Sequence, residues 1–398
     1  YSDKRIKMPI YYPRWLFLYL VLALLSSQAL AHITADPNFL QPDFFVDWRV
    51  LEPEHFRITH EPEHKAYARH MATLAEQIHD RLSPWLRWDE QDKTDVVVVE
   101  SVEVSNGGAT AVASTQTYVD LPTPGEGELI DALPWRVVGV THEYVHILQL
   151  DMAVVGPALM RDIFGRLSDS VFIFLFFPQI FSPSWVTEGV AVYGESNFPK
   201  GYGRLNSAWY EAQMRMEVDR GLRSLTEESY EGYSNSRWPY GQIYLYGGWF
   251  FKYVEEVYGQ GVLIEYFLQY SGNLIPWRMD SRARRVFGKS GKAVWQAFEA
   301  WLERRFESQL RQIRQRATAQ GRTLFDTPYR NTGLTVAGNG DVYFIHDDSA
   351  STPKVMRIRP NGETEELFEL IGVRDLNWHD ENGMLIVRFG VCENNKLY

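Results

Sequence analysis

The run His142-Glu143-Tyr144-Val145-His146 constrains this chain more than any other stretch of it. On a helix, residues i and i+4 stack on one face, so both imidazoles can reach one metal ion while the glutamate projects beside them. The flanks predict that helix. Residues 133–150 hold a single proline, Pro134, at the first turn, where a missing N–H is tolerated. Trp135, Val137, Val138, Val140, Tyr144, Val145, Ile147, Leu148 and Leu150 cover nearly every face, which predicts a helix buried all round. Two histidines and a glutamate are costly to bury there unless they are paired or bind metal. Any fold of this chain must therefore cover the helix and bring partners to its polar face.

The same pattern occurs earlier, at His60-Glu61-Pro62-Glu63-His64. Pro62 interrupts it. The expected layout is a strand over 55–59, a turn, and a helix starting near Pro62. His60 then lies outside the helix, His64 lies on its first turn, and Glu61, Glu63 and Lys65 read as a solvated helix start. The metal reading belongs to 142–146.

A length of 398 residues allows two or three domains. A formal net charge of −11 argues against nucleic-acid partners, which favour basic surfaces. The N-terminus reads as a secretory signal over 1–31. Met8 is the expected start, Arg14 the basic region, 15–25 the apolar core, and Ala29-Leu30-Ala31 the cleavage site. The alternative is an uncleaved anchor, but the apolar core is short for a span of roughly twenty residues. Cys392 is the single cysteine, so no internal disulfide framework exists. Export without disulfides suits a bacterial periplasm or cell envelope. Cys392 falls in an expected strand and is not read as a nucleophile.

The expected fold class is α+β. Residues 32–132 form its mixed N-terminal part. They hold the 55–59 strand and a helix over 67–86, with Ala68, Met71, Leu74, Ile78 and Leu82 at helical spacing. A buried strand follows at 95–100, a turn at Asn106-Gly107-Gly108-Ala109, an edge-like strand at 115–119, and a Pro/Gly-rich loop at 122–127. Residues 133–322 form a mainly helical part. The apolar run 171–177 is too short to cross a bilayer and reads as core packing, with a membrane-dipping loop as the alternative. Ser182 and Pro183 are read as cap and first residue of a helix carrying Glu188 in its first turn. Further helices are expected at 207–220, 240–258 and 292–315. From 323 to 398, period-two segments take over. Residues 340–345 and 383–387 recur 43 positions apart, with Asn-Gly turns at 339–340, 361–362 and 382–383. This spacing predicts the first blades of a β-propeller, which two units cannot close.

A catalytic zinc ion takes three protein ligands and a water. Glu188, 42 residues after His146 in a Trp-x-x-Glu-Gly pattern, is the candidate third ligand. The alternative is a carboxylate placed there by the helix dipole. Glu195 lies on the same face and would orient a ligand histidine from behind.

The blocks His142-Glu143-Tyr144-Val145-His146-Ile147-Leu148-Gln149 and Pro183-Ser184-Trp185-Val186-Thr187-Glu188-Gly189-Val190-Ala191-Val192-Tyr193 resemble gluzincin metallopeptidases of the peptidase MA-like group. The closer resemblance is to bacterial envelope proteins that join such a domain to a tricorn/TolB-type propeller, and it covers roughly 45–398. It implies a thermolysin-like catalytic domain followed by a propeller. It implies His142, His146 and Glu188 as ligands of one zinc ion, with Glu143 as general base. It also implies that Asn106, Gly107, Gly108, Ala109 and the following strand line the cleft, where a peptide adds to the sheet edge. A tyrosine would stabilise the oxyanion. Tyr244 matches best, with Tyr240 and Tyr246 as alternatives. The implied activity is zinc-dependent hydrolysis of peptide or protein substrates, with a propeller that binds a protein partner. The rival expectation is a non-catalytic envelope protein that uses the propeller for recognition.

Overall fold

The structure is a computed structural model. It describes residues 47–89, 92–99, 107–112, 114–120, 134–166, 172–198, 201–231, 241–275, 278–316, 321–327, 330–348, 350–369 and 373–379, and short pieces between 381 and 397. The fold class is α+β, with helix outweighing strand. The chain divides into two units, one covering the described residues up to Ile313 and the other those from Arg314.

The first unit opens with a five-stranded sheet. Its strands are β1 (Arg49–Leu51), β2 (Phe56–His60), β3 (Thr94–Val99), β4 (Gly107–Thr110) and β5 (Gln116–Asp120), in the order β1-β2-β3-β5-β4. β2, β3 and β5 run parallel, and β1 and β4 are antiparallel edges. Helix α1 (Lys65–Leu86) is the crossover between β2 and β3. It buries Ala68, Met71, Ala75, Ile78 and Leu82 as one stripe, in a core shared with Phe56, Ile58, Val96 and Val98.

Two expectations about this sheet are corrected. The 115–119 segment is an interior strand, not an edge, because β4 pairs outside it. Residues 107–109, expected as a turn, belong to that outer strand. Gly-Gly here marks close approach: a Cβ on Gly108 would collide with the Tyr118 ring, its partner on β5. Asn106 lies outside the described residues, as do the 1–31 signal and the 122–127 loop.

Helix α2 (Trp135–Asp151) packs against α1, β4 and β5 and is buried almost throughout. Pro134 sits just before it as the N-cap. Tyr144, on the face opposite the histidines, lies 2.6 Å from His79 Nδ1 of α1, which fixes the rotation of α2. Next comes α3 (Gly156–Phe164), with Pro157 in its first turn and Gly165 just past its end. In the apolar run that follows, Ile173, Phe176 and Phe177 form a small buried cluster, and Phe172 faces solvent.

Helix α4 (Ser184–Asn197) starts one residue later than expected. Pro183 is its N-cap, and the Ser182 hydroxyl bonds Gln179 Oε1 instead of capping. Glu188 is the fifth residue of the helix, just past the first turn where it was expected. The remaining helices are α5 (Ala208–Arg220), α6 (Leu225–Glu231), α7 (Gln242–Tyr258), α8 (Gln260–Ser271), α9 (Met279–Phe287) and α10 (Gly291–Gln315). Along α10, Val294, Trp295, Phe298, Leu302 and Phe306 are buried.

Helices α4 and α7 cross with almost no side chain between them. A Cβ on Gly189 would lie 2.5 Å from the backbone of Gly247. This contact brings the Glu188 helix and the Tyr244 helix together.

In the second unit, β6 (Arg330–Val336), β7 (Val342–Asp347), β8 (Lys354–Ile358) and β9 (Thr364–Glu369) form an antiparallel meander. β10 (Val373–His379) pairs with β11 (Met384–Phe389). Gly340 and Gly362 turn the chain at positive φ, 87° and 90°. Cys392 lies in a two-residue strand. Among the described residues there is no closed propeller.

The helix crossing generates a test. Gly189→Ala forces α4 and α7 apart and should destabilise by roughly 3 kcal/mol or more, or prevent folding. Gly261→Ala, in α8 with no neighbour closer than 3.9 Å, should be neutral or slightly stabilising. Urea melts of both variants decide it; equal midpoints would remove the close-packing argument.

Candidate metal centre

α2 presents His142 and His146 one turn apart, with ring centroids 4.7 Å apart and planes 89° to each other. Their Nε2 atoms face one another at 3.1 Å. From α4, Glu188 Oε2 lies 3.2 Å from His142 Nε2 and 3.3 Å from His146 Nε2. The three donor atoms thus form a nearly equilateral triangle. Ligands about 2.1 Å from a tetrahedral ion sit about 3.4 Å from each other, so the triangle has the dimensions of one face of such a site. All three residues are buried. Lone pairs on facing imidazole nitrogens repel unless a proton or a cation lies between them. Two imidazoles and a carboxylate make a donor set that fits zinc, and other divalent ions use the same groups.

Behind His142 stands a carboxylate of the kind that orients a ligand histidine. His142 Nδ1 lies 2.8 Å from Glu195 Oε2 and 2.9 Å from Arg204 Nη2; a proton on Nδ1, donated to Glu195, would leave the Nε2 lone pair facing the triangle. Glu195 is wholly buried and is held by Arg204 from three directions. The Arg204 backbone N–H and Nε donate to Oε1 at 2.9 and 2.8 Å, and Nη2 donates to Oε2 at 2.9 Å. Gly203 makes this possible at φ 77°, since a Cβ there would lie 2.6 Å from the Glu195 carbonyl oxygen. Burial raises the Glu195 pKa, but Arg204 outweighs it and holds the carboxyl at about 2. Burial works against the Glu188 anion too, and the two histidines reverse it, placing its pKa well below the usual range.

Glu143 is buried beside the triangle. Burial pushes its pKa up to about 8, with His146 opposing the shift. Gly107 of the edge strand lies directly against it, where a Cβ would come 2.7 Å from Oε1. Tyr244 completes the site from α7, with its ring 6.1 Å from the His142 ring and the Arg204 guanidinium 4.8 Å above its face. Burial raises the Tyr244 pKa well above its usual value, with Glu188 adding to the effect, so the phenol stays protonated.

The structure therefore brings His142, Glu143, His146, Glu188, Glu195 and Tyr244 together, with Gly107 touching the group. Gly108 and Ala109 follow on the same strand. Tyr246 is excluded as the oxyanion tyrosine: its hydroxyl donates to Glu217 Oε2 at 2.9 Å and accepts from the Arg223 N–H at 3.0 Å. Tyr240 lies outside the described residues. At the earlier copy, His60 is on β2, outside the 3₁₀ turn Pro62–His64. Glu61, Glu63 and His64 converge there, but on a partly exposed turn. Sequence reasoning missed Arg204. No motif surrounds it, and only its pairing with Glu195 across a tight loop reveals it.

No protein-family model matches the sequence. A protein of Treponema pallidum (strain Nichols), described as uncharacterized, is 26% identical over 260 residues. The match covers 63% of this chain and 21% of that protein, so the chain spans about a fifth of the relative's length.

Two outcomes follow. In the metal-free protein, Glu143 binds its proton more tightly folded than unfolded, so between about pH 4.5 and 8 its ionisation subtracts stability as pH rises. Glu143→Gln should then stabilise the metal-free chain, by on the order of 1–3 kcal/mol at pH 8 and by little at pH 5. Chemical melts across that range measure the gap, and a constant gap would refute the coupling. Arg204→Met strands the buried Glu195 anion and should cost roughly 3–5 kcal/mol. Adding Glu195→Gln should recover part of the loss in the same assay.

Proposed function

We propose that this chain is a zinc-dependent metallopeptidase of the gluzincin, peptidase MA-like kind, exported to a bacterial cell envelope. In this reading 1–31 is its signal and 323–398 the start of a tricorn/TolB-type propeller that binds a protein partner. The observation that carries the proposal is the triangle of His142 Nε2, His146 Nε2 and Glu188 Oε2, with edges of 3.1–3.3 Å, beside the buried Glu143. A purely structural histidine pair has no need of a second buried carboxylate at its side.

Zinc, when held by these three side chains, supplies Lewis acidity and a water of lowered pKa. The remaining work falls to the chain. Ionised Glu143 takes a proton from the attacking water and delivers it to the leaving amine nitrogen. The Tyr244 hydroxyl donates to the substrate carbonyl oxygen as negative charge develops there. Glu195, fixed by Arg204, keeps His142 in its donor tautomer and orientation. The outer strand β4 runs past Glu143, so an extended peptide added antiparallel to it would pass its carbonyls over the site.

Elemental analysis combined with cleavage of a peptide library, with and without a chelator, tests the reading. The parent should carry one zinc per chain and cleave, and chelation should stop cleavage. Glu143→Gln should keep the metal and lose at least about a hundredfold in rate. Glu188→Ala should lose metal. Cleavage by Glu143→Gln at the parent rate would remove the base assignment. Bound zinc with no cleavage of any peptide would favour the binding-protein alternative.

A further inference from the structure

We propose that the outer face of α3, together with Leu274 and Ile275, docks on the interfacial region of an anionic lipid bilayer. Val155, Leu159 and Ile163 follow at four-residue intervals and form one stripe along α3. Val155 is 82% exposed and Ile163 59% exposed. Leu274 sits over Gly156 at the head of α3, where an added Cβ would lie 2.7 Å from its Cγ, and it extends the stripe to Ile275, 58% exposed. Val155 also adopts φ 54°, a left-handed conformation unfavourable for a β-branched residue. The fold thus holds an apolar side chain outward at a conformational cost. Exposed apolar side chains gathered on one face in this way mark an interaction site.

Charge selects the occupant. The chain carries a net −11, and an anionic surface repels it as a whole. The segment that follows Ile275 reverses the sign locally, since residues 278–289 hold five basic side chains and one acid. Arg282 ties this segment to the stripe, its Nε donating to Asn273 Oδ1 at 2.8 Å, next to Leu274. Arg278, Arg285 and Lys289 are exposed, with no ion pair among the described residues. Exposed apolar side chains joined to an arginine- and lysine-rich segment are the pattern that binds the headgroup boundary of acidic lipids. Asp162, between Leu159 and Ile163, is the acidic interruption on the stripe. A second copy docked face to face would bring the same cations against themselves.

The test is co-sedimentation of the full chain with vesicles of phosphatidylcholine alone or mixed with phosphatidylglycerol at about three to one. Binding is expected to the mixed vesicles, weakening as salt rises. Leu159→Ser with Ile163→Ser, and separately Arg278→Glu with Arg285→Glu, should each lower the partition coefficient by roughly tenfold or more. As a check that does not rely on those variants folding, Cys392→Ser with Ile163→Cys carries an environment-sensitive fluorophore. Its emission should shift to the blue with mixed vesicles, and a label at Glu303→Cys should not shift. Three results would overturn the proposal. One is no binding to mixed vesicles. Another is binding that survives both paired variants, which residues 15–25 or another surface would then carry. The third is a blue shift on concentrating the protein without lipid, which assigns the face to a second copy.

Discussion

The structure turns on the cost of burying ionisable groups in an apolar helix. α2 is hydrophobic on nearly every face, yet it carries His142, Glu143 and His146 into the interior. Unpaired, these groups would cost several kcal/mol. The partners that offset this come from elsewhere in the chain: Glu188 and Glu195 from α4, and Arg204 from the loop beyond it. α2 and α4 are therefore electrostatically interdependent. The tight crossing of α4 and α7 at Gly189 and Gly247 brings Tyr244 to the same place, so the backbone packing and the polar cluster impose one geometry.

Much of this was legible in the sequence, for identifiable reasons. Helical periodicity fixed His142 and His146 on one face, and the absence of internal proline made the helix credible. Pro62 removed the competing copy by the same rule, and His60 indeed lies on a strand. Glu188 could be read because it lies in an apolar helix, where a carboxylate needs a partner. The three donor atoms do converge, although the helix starts one residue later than its Ser-Pro signal suggests.

What was not legible depends on contacts remote in sequence. Gly107 and Gly108 read as a turn because glycine pairs usually are turns. Here the missing side chains let a strand lie against Glu143 and Tyr118, and nothing local distinguishes the two uses. The alternation at 115–119 read as a sheet edge, whereas β3 and β4 pair on either side of it. Arg204 was invisible because an arginine after Gly203 has no periodic or motif context, and its meaning lies in Glu195, nine residues back across a loop closed at positive φ. The exposed stripe of α3 escaped attention because its apolar spacing is that of any amphipathic helix; only the burial pattern shows which way the stripe faces.

The site also shows where stability and chemistry part. Glu195 is buried and fully compensated, with Arg204 holding it ionised at about 2. Glu143 is also buried, and in the metal-free chain burial outweighs His146 and Arg204 and its carboxyl rises to about 8. The chain supplies an arginine to one carboxylate and withholds it from the other. An arginine against Glu143 would stabilise the fold and would also make the carboxylate too weak a base to accept a proton near neutrality. Gly107 sharpens the point. Any side chain there would displace Glu143, so the edge strand leaves its carboxylate in place beside the histidines. In the metal-free chain the carboxylate without an arginine partner is the costly element of the cluster, and it is the one that stands where the proposed chemistry needs a base.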